Sequence, residues 1–308
     1  MAINWFPGHM HKARKEIKKV MPQMDLIIEV VDARIPFSSE NPLVPSLRGD
    51  TPLIKVLNKR DLADPAITEQ WLKWLEQERG VRAITLTHNQ RQEALGILKL
   101  AEELTPSHDR QKSALRVMIL GIPKVGKSTL LNTLAGRPAA KTGNEPAVTR
   151  AQQAIKLPDN ILLYDTPGFL WPKLSPEACG YRLAITGAIR SAVLDFEDVA
   201  MFEADYLISH YPDLVMSRYG LDQQPADGLA LMDAIAEKRK FFRRGGIPDL
   251  HKVSEILLNE LRAGTLGRIS LETPEMVERE LQAARALEEA LAAEKLLRTE
   301  QWKKKKSP

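Results

Sequence analysis

Eight consecutive residues, Gly121-Ile122-Pro123-Lys124-Val125-Gly126-Lys127-Ser128, fit the pattern G-x-x-x-x-G-K-[ST]. Its glycines let backbone N–H groups converge on phosphate oxygens, and a helix opening behind the loop adds the partial positive charge of its N-terminus. Lys127 is expected to reach the β- and γ-phosphates of a nucleotide, and the Ser128 hydroxyl to ligate Mg²⁺. Pro123, Lys124, Val125, Gly126 and Thr129 complete the cradle. Asp165-Thr166-Pro167-Gly168 adds a carboxylate that can hold Mg²⁺ through its water shell and a Gly168 N–H for the γ-phosphate. Between these motifs, the polar stretch 141–149 must supply a threonine that closes over Mg²⁺ and the terminal phosphate. Thr149 is preferred to Thr142 for this, in a segment that triphosphate would order and hydrolysis release.

A second constellation, Asn58-Lys59-Arg60-Asp61, suits a purine base. The Asp61 carboxylate can accept from guanine N1–H and the exocyclic amine, a pair that adenine lacks. Asn58 can serve the acceptor edge of the base, and the Lys59 stem can lie along its face. A site built on such hydrogen bonds rejects the analogue without them by roughly 10⁴–10⁵. The backing of the base should fall near Ile84-Thr85-Leu86-Thr87-His88, with Thr87 the candidate contact.

These residues need strand ends and helix starts to hold them. Short β-rich runs cover 26–31, 53–57, 81–86, 116–120 and 161–164. A helical stretch with Trp71, Trp74 and Leu75 separates the second from the third, and Thr129–Leu134 opens a helix behind the phosphate loop. Strands alternating with helices predict a parallel sheet covered on both faces. From about Pro176 helical patterns take over, the last opening at Thr273-Pro274 with Val277, Leu281, Ala284, Leu287 and Leu291 at helical spacing. The expected architecture is an α/β P-loop domain over 1–185, with a basic segment at 1–20. A smaller all-helical domain follows over 186–308 and carries a basic extension at 275–308. In this order the base-reading tetrapeptide precedes the phosphate loop. In most GTPases it follows, so the motif order is circularly permuted, and 105–109 would join the old ends.

With 44% apolar and 27% charged residues in 308, the chain is globular, not disordered. A single cysteine, Cys179, fits a reducing compartment. No apolar run approaches the ~18 residues of a membrane span, and lysines and arginines from Lys12 to Lys19 interrupt any secretory signal. A cytoplasmic protein is expected. The net charge of +4 gathers in clusters at 12–19, 238–244 and 303–306, the middle one interleaved with Phe241 and Phe242. Such clusters suit a phosphate backbone or simply a solvated surface.

With these motifs placed, the chain resembles the circularly permuted GTPases of the ribosome biogenesis GTPase A (YlqF-type) family. The likeness is carried by Asn4-Trp5-Phe6-Pro7-Gly8-His9-Met10, Asp32-Ala33-Arg34-Ile35-Pro36, the tetrapeptide 58–61, the phosphate loop and 165–168. It continues through 183–189 to Gly267-Arg268 and fades after about Pro274. The resemblance implies a cytoplasmic GTPase that binds the maturing large ribosomal subunit, contacts its rRNA, and leaves on converting GTP to GDP and phosphate. It implies no DNA partner and no membrane span. The competing readings are an RNA-binding scaffold that holds guanine nucleotide with little hydrolysis and, more weakly, a GTPase acting on transfer RNA or membrane-associated partners.

Two positions depart from common GTPase chemistry. Phe169 stands where many GTPases carry the glutamine that orients attacking water, so another group must supply that function. His9 is the candidate the resemblance suggests, with His11 second; His9 contacting RNA or packing is the alternative. Lys124 stands where family members commonly place the asparagine that helps hold K⁺. Its ammonium could occupy the same electrostatic position, making K⁺ dependence doubtful, or it could simply face solvent.

Overall fold

The computed structural model describes residues 15, 17–87, 90–139, 153–166, 168, 170–171, 174–189 and 195–306; the side chains of 153, 296–297 and 299–306 lie outside that description. Strands β1 (Leu26–Asp32), β2 (Leu53–Asn58), β3 (Val81–Thr85), β4 (Leu115–Gly121), β5 (Gln153–Leu157) and β6 (Ile161–Asp165) form one sheet in the order β3-β2-β1-β4-β6-β5. Helices α1 (Val44–Arg48), α2 (Pro65–Leu75), α3 (Arg91–Leu104) and α4 (Lys127–Ala135) connect them. The helical part comprises α5 (Glu177–Ile185), α6 (Phe196–His210), α7 (Pro212–Tyr219), α8 (Gly228–Arg239), α9 (Leu250–Ala263) and α10 (Pro274–Lys306).

Every residue of β1 and β2 is buried, as expected of inner parallel strands covered on both faces. Adjacent residues on a strand point to opposite faces. Accordingly Val30 and Val56 join the core that includes Ile97 of α3 and Leu131 of α4. Val31 and Leu57 join a second cluster with Trp71 and Leu75 of α2 and Val277 of α10.

β1 through β4 and β6 are parallel, but β5 pairs antiparallel with β6. The five strands read from the sequence are parallel as expected, and the sheet is extended at its edge by β5, which that reading did not include. Only Pro158 to Asn160 separate β5 from β6, and so short a link permits only a hairpin return. Asp159 and Asn160 take the left-handed conformation there. Cutting the chain between α3 and β4 and joining the old ends would make β4 the first strand and β2 the fifth, which is the expected permutation.

α2 and α10 begin as their sequences dictate. Asp64 caps α2 by accepting from Ala66 N and Ile67 N, with Pro65 at the first helical position. The Thr273 Oγ1 accepts from Met276 N at the start of α10. Helical structure takes over at Glu177. α5 packs on α6 and α9, although a boundary at 185 places it with the sheet.

Candidate functional site

The phosphate loop leaves β4 and runs into α4. Gly126 has φ 98°, and a Cβ built there would lie 2.2 Å from the Asn58 amide nitrogen, so only glycine fits. That amide donates to Val125 O at 2.8 Å. The last residue of β2 thus touches the phosphate loop across the intervening β1 and binds the two motifs together.

An open cleft lies at this junction, lined by Asn58, Leu86, Thr87, Gln90, Gly126 and Thr129 with Ala94, Leu130 and Thr133 beneath. It brings the expected base contacts Asn58 and Thr87 against the start of α4. Thr87 N donates to Glu93 Oε2 at 3.1 Å, and Arg60 donates to Glu93 Oε1 at 2.6 Å and to Thr85 Oγ1 at 3.2 Å. One carboxylate of α3 therefore ties the turn after β2 to the loop after β3. Asp61 is exposed on the 3-10 turn Arg60–Leu62 and does not line the cleft.

At the phosphate end, Lys127 and Asp165 are both buried, and their side chains pair at 2.5 Å. Thr166 Oγ1 donates to Ile119 O at 2.8 Å, fixing the segment after β6 against β4. Gly168 approaches the phosphate loop so closely that a Cβ would meet Pro123 N at 3.2 Å. Ser128 and Thr129 are half-buried in the first turn of α4, Pro123 and Val125 are buried, and Lys124 is exposed with φ 59°. One carboxylate, one hydroxyl and an adjacent ammonium suit a magnesium–phosphate pair, in which the phosphate supplies the remaining oxygens. Among the described residues no three His, Cys, Asp or Glu side chains form an all-protein metal cage. His9, His11, His88, Thr142, Thr149 and Phe169 lie outside the described residues.

Asp32 and Arg34, to which the motifs assign no role, are joined to the base-reading turn. Lys59 takes the left-handed conformation, φ 62°, and its ammonium pairs with Asp32 Oδ2 at 2.8 Å. Arg34 grips the same carboxylate with Nε at 2.9 Å and Nη2 at 2.8 Å. Burial alone would raise the Asp32 carboxyl; Arg34 and Lys59 outweigh it and hold it below the usual carboxylate range. The available signal was a carboxylate ending an apolar strand, with arginine two residues on.

The basic cluster at 238–244 spans the end of α8 and the bend after it. Phe242 bridges to Pro248, and Phe242 and Ile247 are exposed. Arg243 pairs with Asp249 at 3.0 Å, and the Lys252 ammonium lies 4.6 Å from the Phe241 ring centre. No described helix is long and apolar enough to cross a membrane.

A family model described as a 50S ribosome-binding GTPase matches residues 116–216. A protein named ribosome biogenesis GTPase A from Priestia megaterium is 42% identical over 91% of this chain and all of its own length. Another of that name from Thermotoga maritima is 31% identical over 89% of this chain and 95% of its own. The solved structure described as GNP-bound YlqF from T. maritima superposes with a TM-score of 0.60 at 26% identity, over 86% of this chain and 99% of that one.

Proposed function

The chain belongs to the ribosome biogenesis GTPase A family of GTP-hydrolysing P-loop enzymes, and on that premise we propose that it is a binding-and-release switch in assembly of the large ribosomal subunit. The observation carrying the proposal is the Asn58–Val125 hydrogen bond, with Gly126 packed on the same amide. It brings Asn58 of the base-reading tetrapeptide and Gly126 of the phosphate loop to one cleft despite the reversed order of the motifs in the chain, with Asp61 on the turn just outside it.

In this reading Asn58, Lys59, Asp61 and Thr87 hold guanine. Pro123, Lys124, Val125, Gly126, Lys127, Ser128, Thr129 and Gly168 hold the phosphates. Ser128, Thr149 and Asp165 hold Mg²⁺, which when bound neutralises charge on the phosphate oxygens. The buried Lys127 ammonium beside Asp165 supports an exchange of partners. With nucleotide bound, Lys127 would turn to the phosphate oxygens and Asp165 would help hold Mg²⁺ through its water shell. Lys127 and Thr149 stabilise charge on the transferring group, and His9 supplies the polar group that Phe169 cannot. The clusters at 12–19, 238–244 and 303–306 contact rRNA, and the protein works in the cytoplasm.

GTP hydrolysis by the full chain, measured with and without purified large subunits, tests the proposal. Supplied catalytic groups are worth roughly 10³–10⁵ in rate, so marked stimulation is expected. An unchanged rate would overturn the switch and favour a scaffold that holds nucleotide structurally.

A further inference from the structure

The segment between α9 and α10 lies along the turn that carries Asp61. Arg268 Nε donates to Ala63 O at 3.0 Å, and its Nη2 donates to Arg60 O at 3.2 Å. Ile269 N donates to Leu62 O at 2.9 Å. The carbonyls on both sides of Asp61 are thus held by a strap some two hundred residues away in sequence. The strap is itself fixed. Ser270 O accepts from Tyr206 at 2.9 Å, Leu271 N donates to Arg34 O at 2.8 Å, and the Glu272 carbonyl accepts from Trp71 at 3.1 Å. Gly264, at φ 74°, lets the chain enter beside Leu62, where a Cβ would come within 2.7 Å of the leucine side chain.

A two-branched guanidinium on two carbonyls fixes orientation as well as position, which a single point donor cannot do. Asp61 itself stands exposed on a 3-10 turn too short to define its own direction. We infer that Arg268 is a positioning residue for base recognition, so that the helical domain sets guanine selectivity through the backbone of the Asp61 turn. The inference rests on the reading that Asp61 accepts from guanine. It also makes the base-reading loop responsive to whatever engages the helical domain, because displacing the strap releases all three carbonyls together.

The test compares GDP with inosine diphosphate, which lacks the exocyclic amine, on the full chain carrying Asp61→Ala, Arg268→Ala, Arg268→Lys or the double change Asp61→Ala/Arg268→Ala. Asp61→Ala should bring the two affinities close together. Arg268→Ala should weaken GDP about tenfold, the scale of one or two hydrogen bonds, and weaken inosine diphosphate less. Arg268→Lys, which keeps charge and stem, should fall between. In the double variant the loss from Arg268→Ala should vanish, since nothing remains for the strap to position. Arg268 is exposed, so its removal opens no cavity, and the unfolding midpoint without nucleotide checks that the fold is kept. Equal weakening of both nucleotides by Arg268→Ala, or full additivity in the double variant, overturns the positioning role while leaving Asp61 intact. Undiminished preference for GDP in Asp61→Ala overturns the underlying reading instead.

Discussion

Lys124 is held at φ 59°, a conformation that asparagine adopts more readily than lysine, and it is exposed at the crest of the phosphate loop. A lysine there adds fixed positive charge close to where phosphate oxygens gather, and an ammonium cannot ligate a cation. Turnover should therefore be nearly equal in sodium and potassium buffers of matched ionic strength. Lys124→Asn, which suits the backbone and restores a carbonyl ligand, should acquire potassium stimulation. Strong stimulation of the unaltered protein by potassium would refute this. Lys127 and Asp165 were each legible as candidates because both belong to compact motifs at the ends of recognisable strands, but their mutual ion pair was not. The Lys59–Asp32–Arg34 set was not, because it depends on a left-handed backbone turn at Lys59 that no periodicity announces.

On α6, Glu203 is fully buried beneath Arg34 and Arg262, and neither carboxylate oxygen has a hydrogen-bond partner among the described residues. Burial pushes its pKa up to about 8, against the pull of the two arginines. Between the ordinary carboxylate range and that value the folded protein keeps a proton that the unfolded chain has released. Stability from this site is therefore lost as pH rises through the window and levels off above it. Glu203→Gln should match the parent near pH 5 and exceed it near pH 8 by roughly 1–3 kcal/mol, the scale of a buried group without partners. Denaturant unfolding at the two pH values measures this, and a variant less stable at pH 8 would show that the charged carboxylate is paired.

Nothing in the run around Glu203 marked it as buried, since the contact comes from the turn after β1 and from α9. The same reason explains β5. Gln153-Ala154-Ile155-Lys156-Leu157 is a short edge strand with polar alternation, far weaker as a signal than the unbroken apolar runs of β1 and β4. Those inner strands, the phosphate-loop helix and the capped start of α10 were legible because each announces itself within a few residues.

For the whole molecule, the question is whether sheet and helices unfold as one body. Val277 of α10 sits in the cluster around Trp71, and Trp74 donates to Glu278 at 3.2 Å. Arg182 of α5, nearly inaccessible, pairs with Glu280 at 2.5 Å and with Glu272 at 3.3 Å. Glu272 in turn accepts from Ser38 N at 2.9 Å in the sheet layer. Separating the layers would strip the buried Glu272 of its Ser38 donors and leave the Trp71 indole without the Glu272 carbonyl, a cost on the order of several kcal/mol. Heating should therefore give one cooperative transition. GDP at a hundred times its dissociation constant stabilises whatever unfolds with its site by about 2.7 kcal/mol. It should move the whole transition upward by roughly 4 °C. Calorimetry with and without GDP checks this. Two endotherms, of which nucleotide shifts only one, would mean that the helices melt independently, and a strap so easily detached could not hold the base-reading turn.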